Sequence, residues 1–256
     1  MRSARFGGPA GAVLWLPAVL AACGGGSAST EASMPEDPPE LVLFVYDRST
    51  SIPNHTLELA RQLTSTRVME LDHADLLGGM ELLQLSLAEE PTRWSQQVPA
   101  REITEHEIMR DSVARVRFLR DAVILLGRLA SPTDRDNING TDILSTLHDV
   151  GEELRAYPGH RATMYLFSDM LQSTREIEME GLRVMPPDGW VARAKEGGRL
   201  PNLRGLCVVV VGARVDTPAA QRVKAFWQEY FETTGATLTD QNYMLRPVRL
   251  PVDACA

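Results

Sequence analysis

Apolar residues in this chain occur in two patterns, continuous runs and runs with helical spacing. Continuous runs rich in strand-forming residues lie at 41–46 (LVLFVY), 163–167 (TMYLF) and 206–211 (LCVVVV). Such a run is typical of a strand that is buried on both faces, as in a parallel sheet. Residues 80–87 (MELLQLSL) alternate in part and predict another strand, and residues 238–245 predict a last one.

Helical spacing separates these predicted strands. Leu57, Ala60 and Leu63 share one face of a helix predicted from residue 54 to about residue 75. Further helices are predicted at 101–130, 141–156, 187–196 and 218–233. The order is β-α-β-α-α-β-α-β-α-β, and this alternation favours a mostly parallel sheet between layers of helices.

The folded part of the chain is predicted to be one domain. We see no internal repeat and no linker-like segment between residues 41 and 250, so one domain over 41–250 is the simplest interpretation. Residues 251–256 are then a short C-terminal tail.

The first residues predict a targeting signal. Arg2 and Arg5 precede an apolar stretch at 12–20, which is shorter than the roughly 20 residues that span a bilayer. This arrangement is typical of a secretory signal. The letters LAACG at 20–24 resemble the lipobox of bacterial lipoproteins. The resemblance implies cleavage before Cys23, lipidation of that cysteine and a place in the bacterial cell envelope, facing the periplasm or the exterior. An ordinary signal peptide with an incidental cysteine is the alternative.

A flexible tether is predicted after the signal. The residues that follow Cys23, up to residue 40, are rich in Gly, Ser, Ala and Pro and show no apolar period. The chain is therefore expected to comprise a signal peptide at 1–22, a lipidated tether at 23–40 and the domain. Each buried CH₂ of an acyl chain contributes about 0.8 kcal/mol, so two or three chains would hold the protein firmly on the membrane.

Composition and charge exclude some classes of protein. Hydrophobic residues make up 44% of the chain and charged residues 23%, which argues against long disorder. The net charge is -8, with 26 Lys and Arg against 34 Asp and Glu, so nucleic acid is an unfavourable partner. Cys207 lies in an apolar run, where it could be a buried free thiol or could pair with Cys255 in an oxidising compartment.

Oxygen-bearing side chains follow the predicted strands at three places. Asp47, Ser49 and Ser51 come directly after the first strand, Thr141 opens a helix, and Asp169 follows the strand at 163–167. Ligands of open α/β sheets bind outside the carboxyl ends of the strands, so these side chains are expected at one edge of the sheet. A set of oxygen donors without thiolate or imidazole suits a hard cation such as Mg²⁺.

The spacing of the same five residues resembles the metal-ion-dependent adhesion site (MIDAS) of von Willebrand factor type A (VWA) domains. The motif Asp-x-Ser-x-Ser begins at Asp47, and the resemblance covers residues 41–250 in element order. It implies a Rossmann-like three-layer α/β/α sandwich, a bound Mg²⁺ or Mn²⁺ held by the five residues, with Asp169 acting through water, and a protein partner with an exposed carboxylate. The protein is then a non-enzymatic binding protein of the envelope.

Helix capping is the alternative role for these residues. Asp47 and Ser51 could cap the helix that follows them, and Thr141 with Asp142 could cap the third helix.

Two further functions remain open. One is a metal-dependent phosphohydrolase with Asp47 as a phosphoryl-accepting nucleophile, although Ser49 stands where such enzymes carry a second aspartate. The other is a scaffold with a degenerate metal site, because Met170 follows Asp169 where the VWA family often has glycine. The turn at Met170 is therefore expected to differ, or the site to be more shielded.

Overall fold

Strands and helices alternate along the chain in the computed structural model, which describes residues 38–82, 92–99, 108–131, 140–179, 186 and 188–255. The strands are β1 (Glu40–Tyr46), β2 (Leu76–Glu81), β3 (Arg93–Gln97), β4 (Arg161–Phe167), β5 (Leu206–Val211) and β6 (Tyr243–Met244). The helices are α1 (Asn54–Val68), α2 (Ile108–Leu129), α3 (Ile143–Ala156), α4 (Trp190–Glu196) and α5 (Pro218–Thr234).

The strands form one sheet in the order β3-β2-β1-β4-β5-β6. All neighbouring strands are parallel except the antiparallel pair of β2 and β3, so the prediction of a mostly parallel sheet is confirmed. β1 lies between β2 and β4, and its last residue Tyr46 is opposite both Glu81 and Phe167. The carboxyl ends of these three strands therefore meet at one edge.

β1 is apolar on both faces because helices cover both faces. One face carries Leu41, Leu43 and Val45, which share a core with residues of α3, α4 and α5. The other face carries Val42, Phe44 and Tyr46, which share a second core with residues of α1 and α2. The three-layer α/β/α sandwich predicted from the sequence is thus confirmed.

The second strand lies four residues before its predicted position. β2 contains Gly78 and Gly79, which interrupt the apolar pattern. A Cβ atom on Gly78 would lie 2.6 Å from Leu43 Cδ2, and one on Gly79 would lie 2.2 Å from Leu126 Cδ2. A side chain at either position would displace one of these leucine side chains, so glycine favours the close packing of β1 and α2 against β2. Residues 83–87 of the predicted strand lie outside the described residues.

Other boundaries also differ from the prediction. β3 was not predicted, because its sequence RWSQQ is polar and half-exposed at the end of the sheet. The predicted last strand at 238–245 is reduced to the two residues of β6, since Asp240–Asn242 form a short 3-10 helix. α1 ends at Val68 rather than near residue 75, where the chain turns into β2.

The C-terminal tail is fastened to the sheet. Cys207, at the start of β5, forms a disulfide with Cys255 over a Cα–Cα distance of 5.8 Å, so the two cysteines pair. Tyr165 Oη donates a hydrogen bond to the Pro251 carbonyl at 2.6 Å, and Arg161 pairs with Asp253 at 3.0 Å. These contacts hold the tail at the amino-terminal edge of the sheet.

Replacement of both Cys207 and Cys255 by alanine should lower the free energy of unfolding by about 2–4 kcal/mol, because the disulfide restricts the unfolded chain. Urea unfolding of wild type with and without dithiothreitol measures the same loss, and the double variant should be insensitive to the reductant. Equal unfolding midpoints for oxidised and reduced wild type would contradict this expectation.

Three predicted features lie outside the described residues: the signal peptide at 1–22, the lipidation residue Cys23 and the tether up to residue 37. Asp37–Ala256 form a compact unit. Within the described ranges, the helices are too short or too polar for any of them to cross a bilayer.

Candidate metal centre

Asp47 stands at the carboxyl end of β1, where the sheet brings it beside β4. Its N–H donates to the Phe167 carbonyl at 2.9 Å, so the sheet hydrogen bonding continues to this residue. The side chain is fully buried. Its Oδ1 accepts from the Ser49 N–H at 2.9 Å and its Oδ2 accepts from Ser168 Oγ at 2.7 Å. The carboxylate is therefore fixed in one orientation.

The two serines of the first loop converge as their spacing predicts. Ser49 is buried and Ser51 is exposed, and their Oγ atoms lie 2.9 Å apart. Helix α1 has Pro53 as its N-cap and no side-chain capping bond. The capping role considered for Asp47 and Ser51 is therefore wrong.

Asp169 follows β4 on the same edge. Ser168 precedes it and donates its N–H to the Val211 carbonyl of β5 at 3.0 Å. Asp169 is half-buried, and its Oδ1 accepts from the Leu171 N–H at 3.1 Å. Ser168 contacts the carboxylate of Asp47. Asp169 is therefore the neighbour in sequence of a residue that touches the first loop.

Thr141 is connected to Asp169 through the segment 169–173. It is buried, and its carbonyl accepts from the Ser173 N–H at 2.8 Å. Asp142 is the N-cap of α3, since its Oδ1 accepts from the Ser145 N–H at 3.1 Å. The predicted capping role is therefore confirmed for Asp142. Thr141 is not the N-cap residue.

Gln172 joins this segment to α3, a role that no sequence pattern predicts. The side chain is fully buried. Its Oε1 accepts from the N–H groups of Ile143 and Leu144 at 2.8 and 3.2 Å, and its Nε2 donates to Asp142 Oδ1 at 2.9 Å. Gln172 thereby fixes the first turn of α3 against the segment that carries Asp169.

Met170 takes the left-handed backbone conformation, with φ of 65°. This conformation favours glycine and costs another residue about 1–3 kcal/mol. The Met170 side chain is fully buried in the core, and its carbonyl accepts from Trp227 Nε1 at 2.8 Å. Packing and this hydrogen bond stabilise a turn that would otherwise favour glycine.

An ion pair borders the first loop. Arg48 Nη1 lies 2.6 Å from Glu81 Oε1, and the two side chains are 17% and 15% exposed. Since Glu81 is opposite Tyr46, it brings a further carboxylate to the edge that carries Asp47. The charge of Arg48 balances this carboxylate, so Glu81 adds little net negative charge to the site.

A cleft of about 710 Å³ opens beside the loop, and Ser51 and Asp169 are among its lining residues. Tyr243 and Arg246 line it as well. Burial raises the pKa of Tyr243 well above its usual value, and the nearby Asp169 carboxylate raises that pKa further. The phenol therefore stays protonated and can donate a hydrogen bond.

The donor chemistry fits a small hard cation. The Ser49 and Ser51 hydroxyls share a hydrogen bond of 2.9 Å, and adjacent ligands of an octahedral ion with bonds of 2.0–2.1 Å have a similar separation of about 2.9 Å. Among the described residues, no group of three or more His, Cys, Asp and Glu side chains could hold a metal. The predicted donor set is of another kind, because it combines two carboxylates with three hydroxyls.

Comparison with known proteins adds little. No family model and no curated protein matches the chain. Among solved structures it is similar to proximal thread matrix protein 1 from the mussel byssus (crystal form 2), with a TM-score of 0.40 and 14% sequence identity. That match covers 83% of this chain but only 44% of the mussel chain. A likeness at this level carries no argument about function.

Proposed function

We propose that this protein is a lipid-anchored binding protein of the bacterial cell envelope. Its site would hold Mg²⁺, or Mn²⁺, through Asp47, Ser49, Ser51, Thr141 and Asp169, and would engage an exposed carboxylate of a protein partner. The observation that carries the proposal is the first loop, where two serine oxygens lie 2.9 Å apart next to a buried, oriented carboxylate.

The hydrogen bonds of the loop prepare it for a cation. The carboxylate of Asp47 accepts hydrogen bonds from Ser168 Oγ and from the Ser49 N–H. Both donors lie at the same edge of the sheet as Asp47. Groups that orient a metal ligand in this way preserve its geometry and tune its affinity. Ser168 is therefore a positioning residue in the proposed site.

The donor set explains why an acidic partner is expected. Two carboxylates balance the charge of a divalent ion, and neutral hydroxyls leave it electron-poor, so that a carboxylate from outside is a favourable further ligand. The protein has a net charge of -8. An acidic partner would therefore be attracted at the metal and repelled by much of the remaining surface.

The position of the site agrees with an anchored protein. The described chain reaches β1 at Glu40, and Asp47 directly follows the other end of the same strand. The start of β1 and the site are therefore at opposite edges of the sheet.

The proposal is tested by Asp47→Asn, which keeps the size of the side chain and removes its charge. Binding of Mg²⁺ or Mn²⁺, measured by isothermal titration calorimetry, should weaken by more than about 100-fold, since loss of a ligand exceeds the 10–100-fold effect of an outer partner. Ser168→Ala should weaken it by about 10–100-fold.

Asp253→Asn is the matched control, because it makes the same change of charge at an exposed residue of the opposite edge. It should bind the ion as wild type does. Equal affinity of wild type and Asp47→Asn would refute the proposed site. Turnover of p-nitrophenyl phosphate that requires Mg²⁺ and Asp47 would instead identify a phosphohydrolase.

A further inference from the structure

The cleft beside the proposed metal site has a second, cationic part. Ser51 and Asp169 line the same cleft as His55 and Arg246. His55 lies in the first turn of α1, and Arg246 follows β6 by two residues. The two residues are remote in sequence, and the sheet edge brings them together.

The charge of Arg246 is available to an anion. Arg246 is exposed, and its Nη2 lies 2.5 Å from His55 Nε2. Arginine can only donate, so the imidazole nitrogen accepts this hydrogen bond. No carboxylate of the described residues lies within 4.0 Å of the guanidinium nitrogens of Arg246.

Arg214 of the same cleft provides a contrast. Its Nε and Nη2 donate to the two carboxylate oxygens of Asp216 at 2.9 and 2.8 Å. This internal pair satisfies Arg214, so Arg246 is the better candidate for contact with a ligand.

The rest of the cleft wall is partly apolar. Leu171, Val223 and Leu245 line it, and Leu245 is 47% exposed. Tyr243 lines the cleft as well. An apolar side chain and a carboxylate can therefore be accommodated in the same cleft.

We propose that the cleft binds an extended peptide segment of the partner that carries two acidic residues with an apolar residue between them. This inference rests on the proposed function, since the first carboxylate would bind at the metal. The apolar side chain packs on Leu245, and the second carboxylate accepts charge-assisted hydrogen bonds from Arg246. Charge complementarity directs such a segment to this cationic wall of an otherwise acidic protein.

The probe is a display library of random 12-residue peptides, selected on the immobilised full chain in Mg²⁺. The selected peptides should share two acidic positions that flank an apolar one. Each of the best peptides is then synthesised, together with a form in which the second acid is replaced by its amide, and affinities are measured by fluorescence polarisation.

Arg246→Met should weaken binding of the two-acid peptide by about 10- to 100-fold, as expected for a charge-assisted hydrogen bond. The amide form should be weakened to the same level and should be insensitive to Arg246→Met. Arg204→Met is the matched control, since Arg204 is exposed before β5 at the opposite edge. It should leave all affinities unchanged.

The outcomes separate the two proposals. Mg²⁺- and Asp47-dependent binding that is unaffected by Arg246→Met would overturn the inference and leave the metal-dependent function intact. Binding that needs neither Mg²⁺ nor Asp47 would overturn both, whereas selection of no peptide at all would overturn the inference alone. Selected peptides without a second acid would also overturn the inference.

Discussion

Arg67→Met should destabilise the domain by about 3–5 kcal/mol, because it leaves a carboxylate buried without its cation. Arg67 is 2% exposed and donates through Nη2 to the buried Glu40 at the start of β1. Arg67 Nε also donates to Tyr165 Oη at 3.1 Å, and Thr163 Oγ1 donates to Glu40 at 3.2 Å. The variant removes the positive charge of this cluster and leaves the Glu40 carboxylate in place.

The double variant Glu40→Gln/Arg67→Met should be more stable than Arg67→Met alone, since removing both charges leaves neither ion unpaired. Arg61→Met, on the exposed side of α1, is the control and should change stability by less than about 0.5 kcal/mol. The measurement is urea unfolding followed by circular dichroism. If Arg67→Met lowered the free energy of unfolding by less than about 1 kcal/mol, which is an ordinary effect of a mutation, this account would be contradicted.

Trp227→Ala should lower the free energy of unfolding by about 3–5 kcal/mol, as expected for removal of a large buried aromatic side chain. Trp227 is fully buried, and its ring lies 5.1 Å from Phe226 and 5.6 Å from Tyr230 between centroids. Thermal unfolding of the variant measures the loss. A loss below about 1 kcal/mol would show that the core closes around the gap.

Trp227→Phe separates packing from hydrogen bonding. Phenylalanine retains most of the apolar contact but cannot donate to the Met170 carbonyl, which is buried beside Asp169. We expect a loss of about 1–3 kcal/mol for the unpaired carbonyl. Because the turn at Met170 positions Asp169, the affinity for Mg²⁺ should fall as well. A variant with unchanged stability and unchanged Mg²⁺ affinity would contradict the link between this core residue and the site.

The central strands β1, β4 and β5 could be predicted from the sequence, whereas β3 at the end of the sheet could not and β2 was misplaced. β1 and β5 contact helices on both faces, so nearly all their residues are apolar and the pattern is continuous. β3 is at the end of the sheet, and its residues Arg93, Ser95 and Gln97 carry no apolar alternation. In β2, two glycines on which leucine side chains pack closely replace the apolar residues that a pattern needs.

Part of the candidate site could also be predicted from the sequence. The Ser49 and Ser51 oxygens converge because alternate residues of a short loop can point the same way. The contact of Ser168 with Asp47 was not predicted, although Ser168 directly follows β4, because this contact depends on the register that places Tyr46 opposite Phe167.

The contact between His55 and Arg246 was missed for a similar reason. The two residues are separated by 191 positions, and β6, which brings Arg246 to the edge of the sheet, is only two residues long. Neither local spacing nor an apolar pattern indicates that they share a cleft.

The position of β1 also has a mechanical consequence. A partner held next to Asp47 and a chain held before Glu40 would pull on opposite ends of one seven-residue strand, a distance of about 23 Å at 3.3 Å per residue. β1 is hydrogen-bonded to parallel neighbours along both sides. Force that enters at Asp47 would run along the covalent backbone of β1 itself. Force that enters beside Asp169, at the end of β4, would reach β1 only through the hydrogen bonds between β1 and β4, and would load them together in shear.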